Sequence, residues 1–270
     1  MPRSDIAIRA ALLDELTAIS IAAAGAIRRS NWERGGVRIK DDATPVTAAD
    51  EAAEAVICNA LARLEPALPI ISEERAEREP PKIHGQSYFL VDPLDGTREF
   101  IAGRDEYTVN IGLICAGAPV LGVIAAPALG LIWRGIVGRG AERAEFAATT
   151  MSEPRAIRTR ARPDRGLRVI ASRSHLDAQT KAYIGGLPGA ELIRCGSSLK
   201  FCRLAEGAAD LYPRLAPTRE WDVAAGHAIL AAAGGSVVLP DGGALAYGGR
   251  ELRVPAFLAC GDPARLPSAR

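Results

Sequence analysis

A surplus of charge is the first thing this chain lacks: 33 Lys and Arg against 32 Asp and Glu leave a formal net charge of +1 over 270 residues. That balance gives no electrostatic case for a nucleic-acid polymer or an anionic membrane as partner. Any positive charge needed for an anionic substrate must therefore be local, from metal ions or a few placed Arg and Lys. The five cysteines (Cys58, Cys115, Cys195, Cys202, Cys260) are odd in number, scattered, and form no C-x-x-C pair. Their spacing argues against a structural zinc site or a disulfide framework and for a reducing compartment. The three histidines, His84, His175 and His227, lack metal-ligand spacing, and no G-x-x-x-x-G-K-[ST] or G-x-S-x-G motif is present. There is no internal repeat. Asp14 and Glu15 interrupt the first apolar stretch, so a signal-peptide core is not expected. The most apolar run, residues 16–27, reads as too short to span a bilayer. A cytoplasmic protein is expected, free or peripherally associated with the inner membrane, as a monomer or homodimer.

What is present is an ordinary globular composition, 48% hydrophobic and 24% charged, long enough for one large domain or two packed subdomains. Apolar spacing predicts helices at residues 4–29 and 47–64, the second capped by Thr47, with a loop or short hairpin at 31–45 between them. Short buried strands are expected at 69–72 and 88–91, separated by a mobile loop at 75–86, then further strands at 107–115, 120–126 and 131–137. An Arg-rich segment at 153–165 reads as a boundary between subdomains 1–155 and 156–270. Beyond it, strands at 167–171, 191–194, 210–213, 236–239 and 257–260 alternate with helices at 177–184, 198–206 and 221–233. The fold class is mixed, with an α+β front half and an α/β back half.

Two of these strands end in carboxylates: Ile70-Ile71-Ser72 runs into Glu73-Glu74, and the 88–91 strand runs into Asp92-Pro93-Leu94-Asp95-Gly96-Thr97. Mg2+ takes hard oxygen ligands, and strand ends hold them with little entropic cost. Pro93 should stop the strand and turn Asp92 and Asp95 to one site, freeing the Leu94 carbonyl as a further oxygen donor. Gly96 and Thr97 head a short helix whose first N–H groups lack carbonyl partners and attract phosphate. Asp50 is more ambiguous: Thr47-x-x-Asp50 is a variant capping box, and on spacing alone that structural role outweighs catalysis. Asp222, a first-turn acid beside Trp221, carries the same ambiguity.

The ordered motifs Val46-Thr47-x-x-Asp50, Ser72-Glu73-Glu74, Asp92 to Thr97 and Trp221-Asp222-Val223-Ala224-Ala225-Gly226 resemble the inositol monophosphatase superfamily of lithium-sensitive, Mg2+-dependent phosphatases. Asp95 to Ile101, followed by Tyr107-Thr108-Val109-Asn110-Ile111, is similar to its 3'(2'),5'-bisphosphate nucleotidase branch, as are residues 196–202 and 210–214. Arg98-Glu99-Phe100 departs from the Thr-Asn-Phe of the inositol phosphatases. The resemblance implies a layered α-β-α-β-α sandwich. It also implies that Glu73, Asp92, the Leu94 carbonyl, Asp95 and Asp222 hold two metals, with a third bound to Asp50 through water. Asp50, Thr97 and Glu73 are then the catalytic residues, with Thr97 and Asp50 relaying a proton from the attacking water. Asp95, Gly96, Thr97, Arg98, His175, Ser197, Lys200, Arg214 and Asp222 are expected to contact substrate. Arg98 has three openings: the scissile phosphate, Glu99 or Glu106. The implied reaction removes the 3'-phosphate of 3'-phosphoadenosine 5'-phosphate, giving AMP in the recycling that accompanies sulfur assimilation, with the sulfated precursor a second substrate. The alternative is an inositol or sugar monophosphatase.

Overall fold

In the computed structural model, which describes residues 10–30, 36–39, 45–76 and 87–265, the N-terminal third is set by two helices. Helix α1 (Ala10–Arg29) precedes an antiparallel strand pair, β1 (Val37–Ile39) and β2 (Pro45–Thr47); the remainder of the loop or hairpin expected at 31–45 lies mostly outside the described residues. Helix α2 (Ala48–Leu64) buries Ala49, Ala53, Ile57 and Leu61 at a four-residue spacing that makes one apolar face. Residues 4–9 and most of the loop expected at 75–86 lie outside the described residues. The expectation that the first apolar stretch is too short for a membrane is corrected: α1 is 20 residues long and apolar enough to cross one. Its Leu12, Leu16, Ala23, Ala24 and Ile27 instead join a core cluster with α2 and the adjoining sheet, which makes it a core helix here.

The next elements build one sheet: β3 (Ile70–Ser72), the single turn α3 (Glu73–Ala76), β4 (Ser87–Asp95), α4 (Thr97–Ile101), β5 (Thr108–Cys115), β6 (Ala118–Ala126), β7 (Leu131–Ile136), β8 (Gly140–Ala147), β9 (Thr150–Met151) and β10 (Arg155–Ile157). The order is β10-β8-β7-β6-β5-β4-β3, antiparallel except for the parallel β3–β4 pair, with β9 on β8. Strand β8 was not foreseen. Its buried residues are Ala141 on one face and Ala144 and Phe146 on the other, among Glu and Arg, and alanine gives a weak strand signal. Part of the Arg-rich stretch is likewise β10, the edge strand of this sheet. Nor does Pro93 end β4: pairing with β5 resumes at Asp95 after a register shift from Asp92. The proline sits in that bulge, where no ladder N–H is required.

The second sheet follows from β11 (Arg168–Ser172), α5 (Ala178–Gly185), β12 (Glu191–Cys195), α6 (Leu199–Ala205) and β13 (Leu211–Arg214). After them come β14 (Thr218–Arg219), α7 (Glu220–Ala232), β15 (Ser236–Val238), β16 (Arg253–Val254) and β17 (Phe257–Cys260), and the sheet order is β12-β11-β13-β17-β15. Three clusters define the layers. Phe89, Val91, Val109 and Ile111 face α1 and α2. Tyr88, Leu90, Ile124 and Trp133 on the opposite face meet Phe201 of α6, Ala224 and Ala225 of α7, and Tyr212 and Phe257 of the second sheet. Val169, Ala171 and Leu211 on the far side of that sheet pack on Ile184 of α5. The architecture is thus α-β-α-β-α, as the resemblance implied.

The middle layer sits unusually close to the first sheet. Gly112, Gly122 and Gly135 are aligned across β5, β6 and β7. A Cβ on Gly122 would lie 2.2 Å from the Ala225 carbonyl oxygen, and one on Gly112 or Gly135 would lie 2.9 Å from the Cβ of Ala224 or Ala232. Helix α7 therefore rests on a bare strip of backbone, and its first turn is brought to the end of β4.

Candidate active site

Strand end β3, the β4 bulge and the start of α7 converge on one cleft. Glu73, Asp92 and Asp222 each present a carboxylate oxygen within 4.8 Å of the other two. Asp92 is almost wholly buried, and its side chain accepts the Leu94 N–H at 3.1 Å, which fixes the bulge. Burial, then the charges of Glu73, Asp95, Asp222 and Asp50, push the Asp92 carboxyl well above the ordinary value. Asp95 is pushed up to about 6, by burial and then by Asp222. Asp222 accepts the Thr218 hydroxyl and the Arg219 N–H, the latter at 3.1 Å. An all-oxygen donor set of mutually repelling carboxylates is the chemistry a hard divalent cation fits, since it supplies the charge the cluster lacks.

Asp50 performs the structural job read from spacing and also faces this site. Its Oδ2 accepts the Thr47 N–H at 2.8 Å and the Thr47 hydroxyl at 2.7 Å, closing the capping box at α2. Its Oδ1 lies 3.1 Å from Thr97 Oγ1, which is equally 3.1 Å from the Leu94 carbonyl. Burial raises the Asp50 carboxyl despite bonds from Thr47 and Thr97 that lower it. The Thr97 hydroxyl has one proton and two acceptors, so it can switch between them without moving. Gly96 adopts a left-handed φ of 94°, and a Cβ there would lie 3.1 Å from the Glu106 carbonyl oxygen.

Every residue singled out in the sequence lines this one cleft except Asp50, which stands behind Thr97. Ser197, Lys200 and Arg214 line the same cleft, Ser197 directly beside the Gly96 turn. Ser197 is a left-handed non-glycine residue with φ 45°, leading into α6. Lys200 is buried, donates from Nζ to the Ser197 carbonyl, and sits 5.3 Å over the Tyr212 ring. Arg214 Nε is buried without a hydrogen-bond partner among the described residues. An orphaned guanidinium N–H of this kind is costly unless a ligand completes it. Arg98 has a partner outside the three openings named for it: its Nη1 lies 3.0 Å from His175 Nε2. Since arginine only donates, that nitrogen is the imidazole acceptor. Desolvation, then the charges of Arg98 and Arg214, hold His175 below the ordinary histidine value.

Several supporting residues were not foreseen. Asn110 Nδ2 approaches Asp95 at 3.4 Å and its Oδ1 accepts the Ser198 hydroxyl at 2.6 Å, while Thr108 Oγ1 lies 2.8 Å from Ser198 Oγ. The available signal was two polar residues, Thr108 and Asn110, on one face of an otherwise apolar strand. Glu99 accepts the Ser174 hydroxyl, and Glu106 accepts from Arg173 and Gly196. No sequence pattern marks either.

The inositol monophosphatase family matches this chain over residues 12–264. The 3'(2'),5'-bisphosphate nucleotidase CysQ of Escherichia coli K12 is 46% identical over 212 residues, covering 78% of this chain and 83% of that protein. The protein of the same name from Haemophilus influenzae is 30% identical over 258 residues, covering 93% of each. The crystal structure of CysQ from Bacteroides thetaiotaomicron superposes with a TM-score of 0.78 at 32% identity, covering 95% of this chain and 99% of that one. An inositol monophosphatase from Anabaena, at TM-score 0.73 and 24% identity, shares the fold. The chain therefore belongs to the inositol monophosphatase family of phosphatases.

Proposed function

We propose that this protein is a Mg2+-dependent 3'(2'),5'-bisphosphate nucleotidase that removes the 3'-phosphate of 3'-phosphoadenosine 5'-phosphate. The observation that carries the reading is a single cleft lined both by a carboxylate cluster and by cations, a buried Lys200 and an Arg214 whose Nε has no partner among the described residues. A substrate with two phosphates satisfies both sets; a simple monoester satisfies one. The relatives named as bisphosphate nucleotidases support the same choice. The sulfated precursor is a second substrate on this reading, and the physiological role is recycling of the bisphosphate in sulfur assimilation in the cytoplasm.

Glu73, Asp92, the Leu94 carbonyl, Asp95 and Asp222 would hold the metal, with Asp50 facing a further ion through water. Mg2+ bound there supplies neutralisation of the phosphate and acidification of water. Gly96 and Thr97 donate backbone N–H groups to the equatorial phosphoryl oxygens as charge shifts onto them. The Thr97 hydroxyl orients the attacking water and hands its proton to Asp50, whose raised pKa suits it as acceptor. The water oxygen bonds to phosphorus as the ester bond breaks, and the departing 3'-oxygen keeps the bonding pair and takes up a proton from solvent water, giving AMP and phosphate. Lys200 and Arg214 hold the 5'-phosphate, Arg214 through its planar fork. Ser197 and His175 line the same cleft, and Arg98 would reach the scissile phosphate.

Initial rates on 3'-phosphoadenosine 5'-phosphate and on inositol 1-phosphate, with Mg2+ and with Mg2+ plus lithium, test the reading. The bisphosphate should turn over faster and lithium should inhibit. Faster hydrolysis of the inositol ester would make the protein an inositol or sugar monophosphatase with the same chemistry.

A further inference from the structure

Two walls of the cleft belong to different sheets. The metal-facing turn, Asp92 to Thr97, hangs from the first; the loop 196–200, with Ser197 and Lys200, follows β12 of the second. Substrate held by both walls reads their relative placement, so whatever fixes that placement sets specificity. Three side chains of the first sheet's 98–106 segment reach across: Arg98 to His175, Glu99 to Ser174, and Glu106 to Arg173 and Gly196.

Glu106 is the most heavily connected of the three. Its Oε2 accepts Arg173 Nε at 2.6 Å and the Gly196 N–H at 2.9 Å, and its Oε1 accepts Arg173 Nη2 at 2.8 Å. The same Nη2 donates to the Arg194 carbonyl at 2.9 Å, so the guanidinium grips the end of β12 as well. A paired fork on a carboxylate fixes orientation as well as distance. The backbone is equally tight: a Cβ on Gly196 would lie 2.7 Å from the Glu106 carbonyl oxygen and 3.0 Å from Glu99 Cγ, and one on Gly96 would lie 3.3 Å from Ser197 Cβ. Glu106 is therefore wedged between the phosphate turn and the loop that carries Ser197 and Lys200. The Arg173 bonds hold its carboxyl below the ordinary glutamate value, so it is ionised throughout the neutral range. It touches neither the metal-facing carboxylates nor the space where substrate lies, and nothing in the reaction itself calls for it.

We propose that Glu106, clamped by Arg173, is a positioning residue that sets the span between the phosphate turn and the 196–200 loop and so gives the enzyme its preference for a nucleoside bisphosphate over a small phosphate ester. This deepens the proposed function and rests on its assignment of Lys200 and Arg214 to the second phosphate.

The test is steady-state kinetics of Glu106→Ala, Glu106→Gln and Arg173→Ala on 3'-phosphoadenosine 5'-phosphate and on p-nitrophenyl phosphate, with Lys200→Met and Arg214→Met alongside and thermal melts of every variant. Loss of charge-assisted bonds to a loop that binds substrate is expected to raise KM for the bisphosphate about tenfold in Glu106→Ala and Arg173→Ala, with a smaller change in kcat. The ratio of kcat/KM between the two substrates should fall by about the same factor. Glu106→Gln, which keeps an oxygen for the Gly196 N–H, should fall between wild type and Glu106→Ala. An unchanged ratio, or an equal loss on both substrates, overturns the inference. If Lys200→Met and Arg214→Met also leave the ratio unchanged, it is the assignment of the second phosphate that has failed. If those two lower it while the Glu106 variants do not, the assignment stands and only the role of Glu106 is lost.

Discussion

Burial and three neighbouring carboxylates, with Asp50 behind them, make ionised Asp92 expensive in the metal-free protein. Removing that charge should therefore relieve strain in the fold while destroying the site. Asp92→Asn is expected to lower kcat about 100-fold or more, because the donor set loses its central oxygen anion. In chelator the same variant should melt higher than wild type, and Mg2+ should no longer raise its melting temperature. A variant that melts lower than wild type in chelator would show that the carboxylate is compensated by the protein alone. Thr97 gives a second residue-level outcome. Its hydroxyl sits 3.1 Å from both Asp50 Oδ1 and the Leu94 carbonyl. Thr97→Val keeps the shape and removes the relay, so kcat should fall about 100-fold with KM little changed, and Thr97→Ser should retain most of the rate. Equal activity in the valine variant would leave the proton to travel by another route.

Among the elements, α7 depends most on what lies beneath it. The row Gly112, Gly122 and Gly135 lets its Ala224, Ala225 and Ala232 approach the first sheet to backbone contact. Gly122→Ala places a methyl 2.2 Å from the Ala225 carbonyl oxygen, where backbone on both sides leaves it nowhere to go. Overpacking of this kind costs about 3 kcal/mol. It should also shift the first turn that carries Asp222, so thermal melts should show the loss of stability and metal titration a weaker response to Mg2+. A melting temperature within one degree or so of wild type would mean that the helix moves freely off the sheet. Elements whose signal is local were legible in the sequence: the capped α2, with apolar residues every fourth position, and the buried strands β4 to β7. Those whose reason for forming is a neighbour were not. Strand β8 is mostly alanine and charge, β10 is an edge recruited by β8, and the glycine row has meaning only once three strands are side by side.

At the scale of the whole molecule, the same division separates what the sequence told about the site from what it withheld. Glu73, Asp92, Asp95 and the turn at Gly96 lie in contiguous motifs, and their convergence could be anticipated from strand ends, whereas Asp222 on α7 came only with the family resemblance. The partner of Arg98 could not be anticipated, because His175 is 77 residues away, in the loop that follows β11 of the second sheet. The Glu106 bridges to Arg173 and Gly196 span 67 and 90 residues, and such pairings exist only after both sheets have docked on the middle layer. That layer has its own titrating group. His227 lies on α7 between the sheets, with Nδ1 3.1 Å from the Tyr247 hydroxyl, and burial lowers its pKa from 6.5 to about 4. A histidine held neutral in the fold binds its proton only when the chain unfolds, so stability falls as pH drops from about 6.5 towards 4, by about 3 kcal/mol in all. Asp95 acts in the opposite sense: its pKa, raised from 3.8 to about 6, makes the metal-free fold more stable as pH falls through the same range. Saturating Mg2+ suppresses that contribution, and His227→Gln removes the first. Denaturant unfolding of the two proteins from pH 7 to pH 4.5 with Mg2+ present should therefore show a shallower acid loss in the variant than in wild type. Parallel curves would place the acid sensitivity in groups other than His227; Tyr247, which faces it, is pushed above its ordinary value of 10.0 and stays neutral across this range.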